Sequence, residues 1–461
     1  MIRAGWHDEG AAPAGRAAEG AVRVAERPAE RRRLRGRLNL FQAMVLRWRE
    51  LHPYVAVHMV RVAHRLEAAR LRETIGTRLE AAGLARIALD ARAKRFEFRP
   101  GPATVDLAVL QRGEDAEAAA RTEIERQLNA AFPPEGTFTP FRFFAVDCGA
   151  SFAFGIAYDH FIAGGDSIAV LLEALLAAYA AGASGAPGPW TPRRYPKTYA
   201  HLFLRDFGYC VRGLPRLSAM AASCRRSTRA PCSTDRPATN GFRSFRLGAG
   251  ELAALLSTAR DWRVTVNDLL LAMLLRALSS VVTRRPADRP ELGVASIVNL
   301  RREFESDAHE LFGLFLASLR IAHPVPAGIE LSRLAAEVHA ETERIKSEKL
   351  YLQTLVGLSF TALAWRFLDH ERRRRFLAKH YPIWAGMTSL NIDALWSEHS
   401  SSIAPIDYTR AVPTGSLAPL AFAITTFRGS MQIGVSYRIA DVSAETALRV
   451  ANGLLEQIRA L

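Results

Sequence analysis

Apolar positions recur along this chain with two different periods, and the switches between them mark out its elements. Leu71, Ile75 and Leu79 fall four residues apart, which predicts a helix over 67–82 with one buried stripe. Before it, 54–66 alternates as a strand does, and Pro53 separates that strand from a helix expected over 39–51. Strands are expected at 104–111 and 141–147, on either side of a helix over 116–132. The segment 151–160 is the most informative. Phe152, Phe154, Ile156 and Tyr158 alternate with Ala153, Gly155 and Ala157, so neither face is polar and burial on both is predicted. The chain then passes His160 and the pair Gly164-Gly165 and enters a helix expected over 168–181.

A Gly/Pro/Ala-rich stretch at 182–192 closes the first half. Beyond it, helices are expected at 250–259 and 265–282, the second opening with Thr265 and Asp268 at capping-box-like spacing. Strands at 293–300 and 312–321, helices at 331–350 and 353–379, and a closing helix at 443–461 follow. Two strands at 420–427 and 431–437 read as a hairpin around Gly429-Ser430. Both halves mix strands with helices, which predicts an α/β protein of two similar layers. The organisation expected is a disordered basic leader at 1–36, a first lobe at 37–185, a basic linker at 186–245 and a second lobe at 246–461.

Composition narrows this in three ways. At 461 residues with 49% hydrophobic and 23% charged positions, the chain is too long for one small core and too apolar to be largely disordered. Its formal charge is +15, and 193–246 alone holds twelve Arg or Lys against Asp206 and Asp235. Such a stretch favours an anionic partner. It lacks a nucleic-acid-binding motif and an aromatic stacking pattern, so nucleic acid is not expected. The four cysteines (Cys148, Cys210, Cys224, Cys232) form no C-x-x-C pair, which excludes a disulfide scaffold or a zinc-ligand spacing and suits a reducing cytoplasm. No secretory h-region opens the chain, and the most apolar window, 352–368, carries Arg366, so no transmembrane segment and a cytoplasmic location are expected.

The candidate chemistry sits at the end of 151–160. His160 shares a strand face with Tyr158, Ile156 and Phe154. An imidazole in that apolar lining stays neutral near pH 7 and can accept a proton. Gly164 and Gly165 allow close approach of backbone and substrate, and the helix start offers N–H groups to a developing oxyanion. A base beside such a turn suits acyl transfer. Asp166 and Ser167 are read as capping residues of the following helix. Asn267 is read as part of a helix start ahead of a substrate contact, Asn391 as a turn residue or a polar contact in a substrate channel, and Tyr158 as a further substrate-contact candidate.

The run Asp159-His160-Phe161-Ile162-Ala163-Gly164-Gly165-Asp166-Ser167 resembles the HHxxxDGxS segment of the condensation-domain superfamily, which includes nonribosomal-peptide condensation domains and wax ester synthase-type acyltransferases. Val264 to Ala272, Ser296 to Arg301 and Thr388 to Asn391 are similar to later blocks of that superfamily in the same order. The resemblance implies two chloramphenicol-acetyltransferase-like lobes with the site between them. It makes His160 the catalytic histidine, acting on an alcohol or amine acceptor. The donor would be a phosphopantetheine thioester, on CoA or on a carrier protein bound in trans, with no tightly bound cofactor and no metal. Two positions depart from the pattern: Asp159 replaces the first histidine, and Gly164 replaces the aspartate that in the superfamily pairs with an arginine, here matched by Arg301. Asp166, two residues on, is open to two readings, a stand-in for that aspartate or the cap already given. Those departures keep two alternatives open, a wax ester or diacylglycerol-type lipid acyltransferase and a non-catalytic scaffold that binds carrier proteins.

Overall fold

The computed structural model describes residues 35–111, 115–182, 192, 200–233, 239–304, 311–396, 403–415 and 418–461. Strands run at β1 Arg35–Arg37, β2 Val55–Val62, β3 Arg86–Asp90, β4 Arg95–Arg99, β5 Leu107–Gln111, β6 Gly136–Phe138, β7 Phe141–Asp147, β8 Phe152–Asp159, β9 Asn240–Leu247, β10 Leu292–Asn299, β11 Leu316–His323, β12 Ala385–Asn391, β13 Pro405–Ala411, β14 Leu420–Phe427 and β15 Ser430–Arg438. Helices run at α1 Leu40–Trp48, α2 Ala68–Ala81, α3 Ala116–Asn129, α4 Gly165–Ala181, α5 Ala200–Arg205, α6 Phe207–Arg226, α7 Ala249–Asp261, α8 Val266–Val281, α9 Arg301–Phe304, α10 Leu331–Ser347, α11 Tyr351–Ala364, α12 His370–His380 and α13 Ala444–Arg459. The leader expected at 1–36 and the boundary at 182–192 fall almost wholly outside the described residues.

The strands build two main sheets and a small one. The first has the order β13-β2-β8-β7-β5, the second β11-β10-β12-β14-β15-β9, and β1-β4-β3-β6 forms a four-stranded flap. The molecule is therefore a mixed α/β protein of two lobes, as the patterning predicts. All eight residues of β8 are buried. The small residues of that strand make room for rings from the next one: a β-carbon added to Gly155 would lie 2.0 Å from Cζ of Phe144. In the second lobe α8 is almost entirely apolar and packs in the core with α10 and α13. No single helix among the described residues is long and apolar enough to cross a membrane.

Several elements differ from the expected ones. β13 lies in the second half of the sequence but pairs antiparallel with β2, so it completes the first sheet. Its backbone passes over β15 at Gly434, where an added β-carbon would come within 2.0 Å of the Arg410 carbonyl oxygen. The basic stretch includes α5, α6 and most of β9, which joins the second sheet. The helix expected over 353–379 breaks into α11 and α12 because Asp369 caps a new helix through the Arg372 N–H. The hairpin turn is Arg428-Gly429, both at positive φ (48° and 68°), one residue earlier than the sequence suggests.

Candidate active site

β8 ends at Asp159, and His160 opens the turn that leads into α4. β8 is antiparallel to both neighbours, β2 and β7. The site is therefore not the carboxyl edge of a parallel sheet but the space between the two lobes. His160 lines a cavity of about 2190 Å³ there, whose walls come from both. Its ring stacks on Tyr54 (5.8 Å between centroids, 19° apart) and meets Tyr158 edge-on at 5.9 Å. Nδ1 lies 3.1 Å from the Ala163 carbonyl. A carbonyl only accepts, so Nδ1 carries the proton and Nε2 is the bare nitrogen of the neutral ring. Burial lowers the imidazole to about 4, with the Arg410 charge adding to it and the backbone acceptors opposing.

The residues around the turn hold it from both halves of the chain. Asp159 forms a buried ion pair with Arg49, and Arg49 also donates to the carbonyls of Pro133 and Pro134. Asp159 is thus an anchor for the turn and no partner of His160, in keeping with its opposite strand face. Helix α1 holds the same turn: Gln42 donates to the Phe161 carbonyl at 2.9 Å, and Asn39, its capping partner, donates to the Leu314 carbonyl at 2.7 Å.

The capping roles expected of Asp166 and Ser167 need correction, while the other reading of Asp166, a stand-in for the motif aspartate, agrees with its place beside Arg301. Helix α4 starts three residues earlier than its hydrophobic run suggests, with Gly164 at the N-cap and no side-chain cap, so both residues lie inside its first turn. Ser167 accepts from Arg301 Nη2 at 2.5 Å and from the Gly313 N–H at 3.0 Å. Arg301 is 6% exposed; it also donates to the Leu311 carbonyl and, at 3.2 Å, to that of Gly313. Asp166 Oδ2 lies 3.7 Å from Arg301 Nε and accepts from Asn299. The arginine matched by the motif is therefore paired after all, by the carboxylate two residues beyond Gly164. The Gly164 N–H donates to the Gly313 carbonyl at 2.9 Å, so this network ties α4 to the second lobe.

Sequence reasoning missed a second cluster on the same sheet face. Register pairs Arg410 of β13 with His58 of β2, and His58 with Ile156 of β8, which brings Tyr408, His58 and Tyr158 beside His160. His58 Nδ1 is 2.7 Å from the Tyr408 hydroxyl, and its Nε2 is 3.4 Å from that of Tyr158. His58 is held well below its ordinary value by burial and by Arg410. Arg410 itself reaches into the second sheet, donating to Thr425 Oγ1, Ile424 O and Thr388 O. Only the alternation of Tyr408 and Arg410 hinted at this, and a lone alternating pair cannot reveal its partners. Asn267, on α8, bridges Ser296 and Ser389 (3.3 and 3.1 Å) on the cavity wall, while Asn391 ends β12 and accepts from the Asp393 N–H at 3.1 Å. Both line the cavity. Asp268 accepts from the hydroxyl of the cap residue Thr265 at 2.7 Å and also from Thr342, and it contacts His339, both at 2.8 Å.

Two α/β lobes with a histidine at their junction are the arrangement that the resemblance implies. No protein-family model and no curated protein matches the sequence. Solved structures do. The starter condensation domain of rhizomide synthetase RzmA, in complex with C8-CoA, is similar at a TM-score of 0.63 and 14% identity over 93% of this chain and 94% of that one. The epimerization domain from the third module of tyrocidine synthetase B gives 0.62 and 13% over 94% and 98%. The condensation domain of the Monacolin K polyketide synthase MokA gives 0.61 and 12% over 92% and 97%. The chain has the condensation-domain fold.

Proposed function

We propose that this chain is a condensation-type acyltransferase of specialised-metabolite biosynthesis, moving an acyl group from a phosphopantetheine thioester to an alcohol or amine. The observation that carries the reading is a neutral imidazole, fixed in one tautomer by Ala163, on the wall of a cavity shared by both lobes. The acceptor oxygen or nitrogen attacks the thioester carbon as its proton passes to Nε2 of His160. The tetrahedral oxyanion then collapses, the C–S bond breaks, and the proton leaves Nε2 for the departing thiolate. With its ring lowered to about 4, His160 takes the proton only as the new bond forms. Arg225, Arg229, Arg260, Arg263 and Lys379, all exposed and all on the cavity wall, suit the phosphates of CoA or of a carrier-bound arm. The scaffold reading drew on Gly164, and the pairing of Arg301 with Asp166 weakens that ground.

The test is thiol release from acyl-CoA donors of two to sixteen carbons and from acyl carrier proteins, with alcohol and amine acceptors and product masses recorded. Acceptor-dependent release is expected, falling at least about 100-fold in His160→Ala. Equal release from both proteins removes His160 from the mechanism. A strong preference for the longest chains favours a lipid substrate. Saturable carrier binding without release from the wild type overturns the enzyme reading.

A further inference from the structure

Among the described residues, Arg410 is a cation buried without an anion. Its residue is 3% exposed, and its hydrogen bonds go to neutral oxygens of the second sheet: Thr425 Oγ1 at 2.9 Å, the Ile424 carbonyl at 2.7 Å and the Thr388 carbonyl at 3.1 Å. No carboxylate among the described residues lies within ion-pair distance of it. Asp166, whose field reaches it, is engaged by Arg301 and Asn299. The groups that share its sheet face, His58, Tyr408 and Tyr158, are uncharged. Those bonds use Nε and Nη2. Nη1 lies against Gly165, the first residue of α4, and both residues line the cavity. A β-carbon at Gly165 would sit 3.1 Å from Nη1 and 3.5 Å from His58 Cε1, so the glycine keeps this corner open. The first N–H groups of α4 add positive potential at the same place.

Taking a guanidinium out of water without a counter-charge is costly, and proteins retain such groups where an anion arrives with a ligand. The phosphates of a thioester donor lie a pantetheine arm away from the reacting carbon. An anion beside His160 therefore belongs to the reacting end of a substrate. We propose that Arg410, with the Gly165 end of α4, is the receptor for a carboxylate carried by one of the substrates. That the carboxylate's owner undergoes acyl transfer rests on the acyltransferase reading; the anion site does not.

Calorimetry on the full chain tests the site without turnover. The probes are 4-hydroxybenzoate and 3-hydroxybutyrate, each beside its methyl ester, and succinate beside its dimethyl ester. Wild type is expected to bind the acids tenfold to a hundredfold more tightly than the esters. Arg410→Gln should abolish that preference while leaving ester affinity within about twofold, and Arg410→Lys should keep part of it. Should Arg410→Gln fail to fold, Gly165→Ala, which crowds Nη1 and leaves the charge in place, should lose the preference too. Equal binding of acid and ester by wild type, no carboxylate binding at millimolar concentration, or a preference that survives Arg410→Gln overturns the proposal. Turnover then assigns the source: hydroxy-acid acceptors with butyryl-CoA against neutral alcohols with succinyl-CoA. Acid-selective binding without turnover of any pair fails the acyltransferase reading and leaves the site standing. Turnover indifferent to the carboxylate does the reverse.

Discussion

Two arginines bracket the start of α4 at nearly equal depth, and their surroundings differ in kind. Arg301 finds a carboxylate, a hydroxyl and two carbonyls within the protein, supplied by both lobes. Arg410, across the same helix end, finds only neutral acceptors among the described residues. A buried charge whose partners are all in place is part of the scaffold, and removing it strands every one of them. A buried charge left without an anion contributes little to stability and is kept for something else.

Mutation should separate the two. Arg301→Ala is expected to cost about 3–5 kcal/mol in urea denaturation, because Asp166, Ser167 and the carbonyls of Leu311 and Gly313 lose their donor. Arg410→Met, filling a similar volume, should cost less than about half of that. Comparable losses would show that both arginines are structural.

Acid should act on the Arg410 side. His58 and His160 there, and His52 nearby in sequence, are kept neutral mainly by burial, with His160 lowered to about 4 and His52 to about 3. Unfolded, these rings take up protons below about pH 6.5; folded, they resist until far lower. The folded state then binds fewer protons, so stability falls as pH drops from 6.5 towards 4. His160 alone contributes about 3 kcal/mol to that fall. Denaturant midpoints at pH 7, 5.5 and 4.5 should drop in that order, and less steeply in Arg410→Met, where one cause of the depression is gone. A flat profile would contradict neutral burial. Turnover should hold steady through pH 6.5.

The smallest effect sharpens the Arg301 side. A β-carbon at Gly164 meets the Gly313 carbonyl oxygen at 3.5 Å and Leu314 Cδ1 at 4.0 Å, both ordinary contacts, and the position is an extended N-cap. Gly164→Asp should therefore gain a few tenths of a kcal/mol. In an Asp166→Asn background it should gain more, by giving Arg301 a carboxylate again. A double-mutant cycle that closes additively would break that link.

What the sequence disclosed follows from the range of the interactions. β7, β8, α8 and β14 were legible because burial on one or both faces writes itself into neighbouring residues. β3 and β4 were not: each is five residues long with a charged residue at either end (Arg86 and Asp90, Arg95 and Arg99), and a tight turn through Lys94 at φ 52° lies between them. The apolar run from Phe312 to Phe315 reads as strand, yet β11 starts only at Leu316 because the backbone at 311 and 313 is taken up by Arg301 and Ser167. His160 stood out from its strand and glycines. Ser167 was misread as a cap, since its partner lies 134 residues away. Arg410 was invisible for the same reason. Its meaning depends on the register of β13 against β2, which no local pattern records.

That register also bears on how the protein is made. β2 pairs with β8 on one side and has β13 on the other, and β13 is separated from it by more than three hundred residues. As the chain leaves the ribosome, the first sheet carries an open edge at β2 until the more than three hundred residues up to β13 have followed. An open edge invites pairing with other chains. A strand translated long after β2 and β8 thus finishes the sheet that they begin. With it comes the arginine that faces the site, so the first lobe released alone would be both exposed at its edge and missing its buried charge.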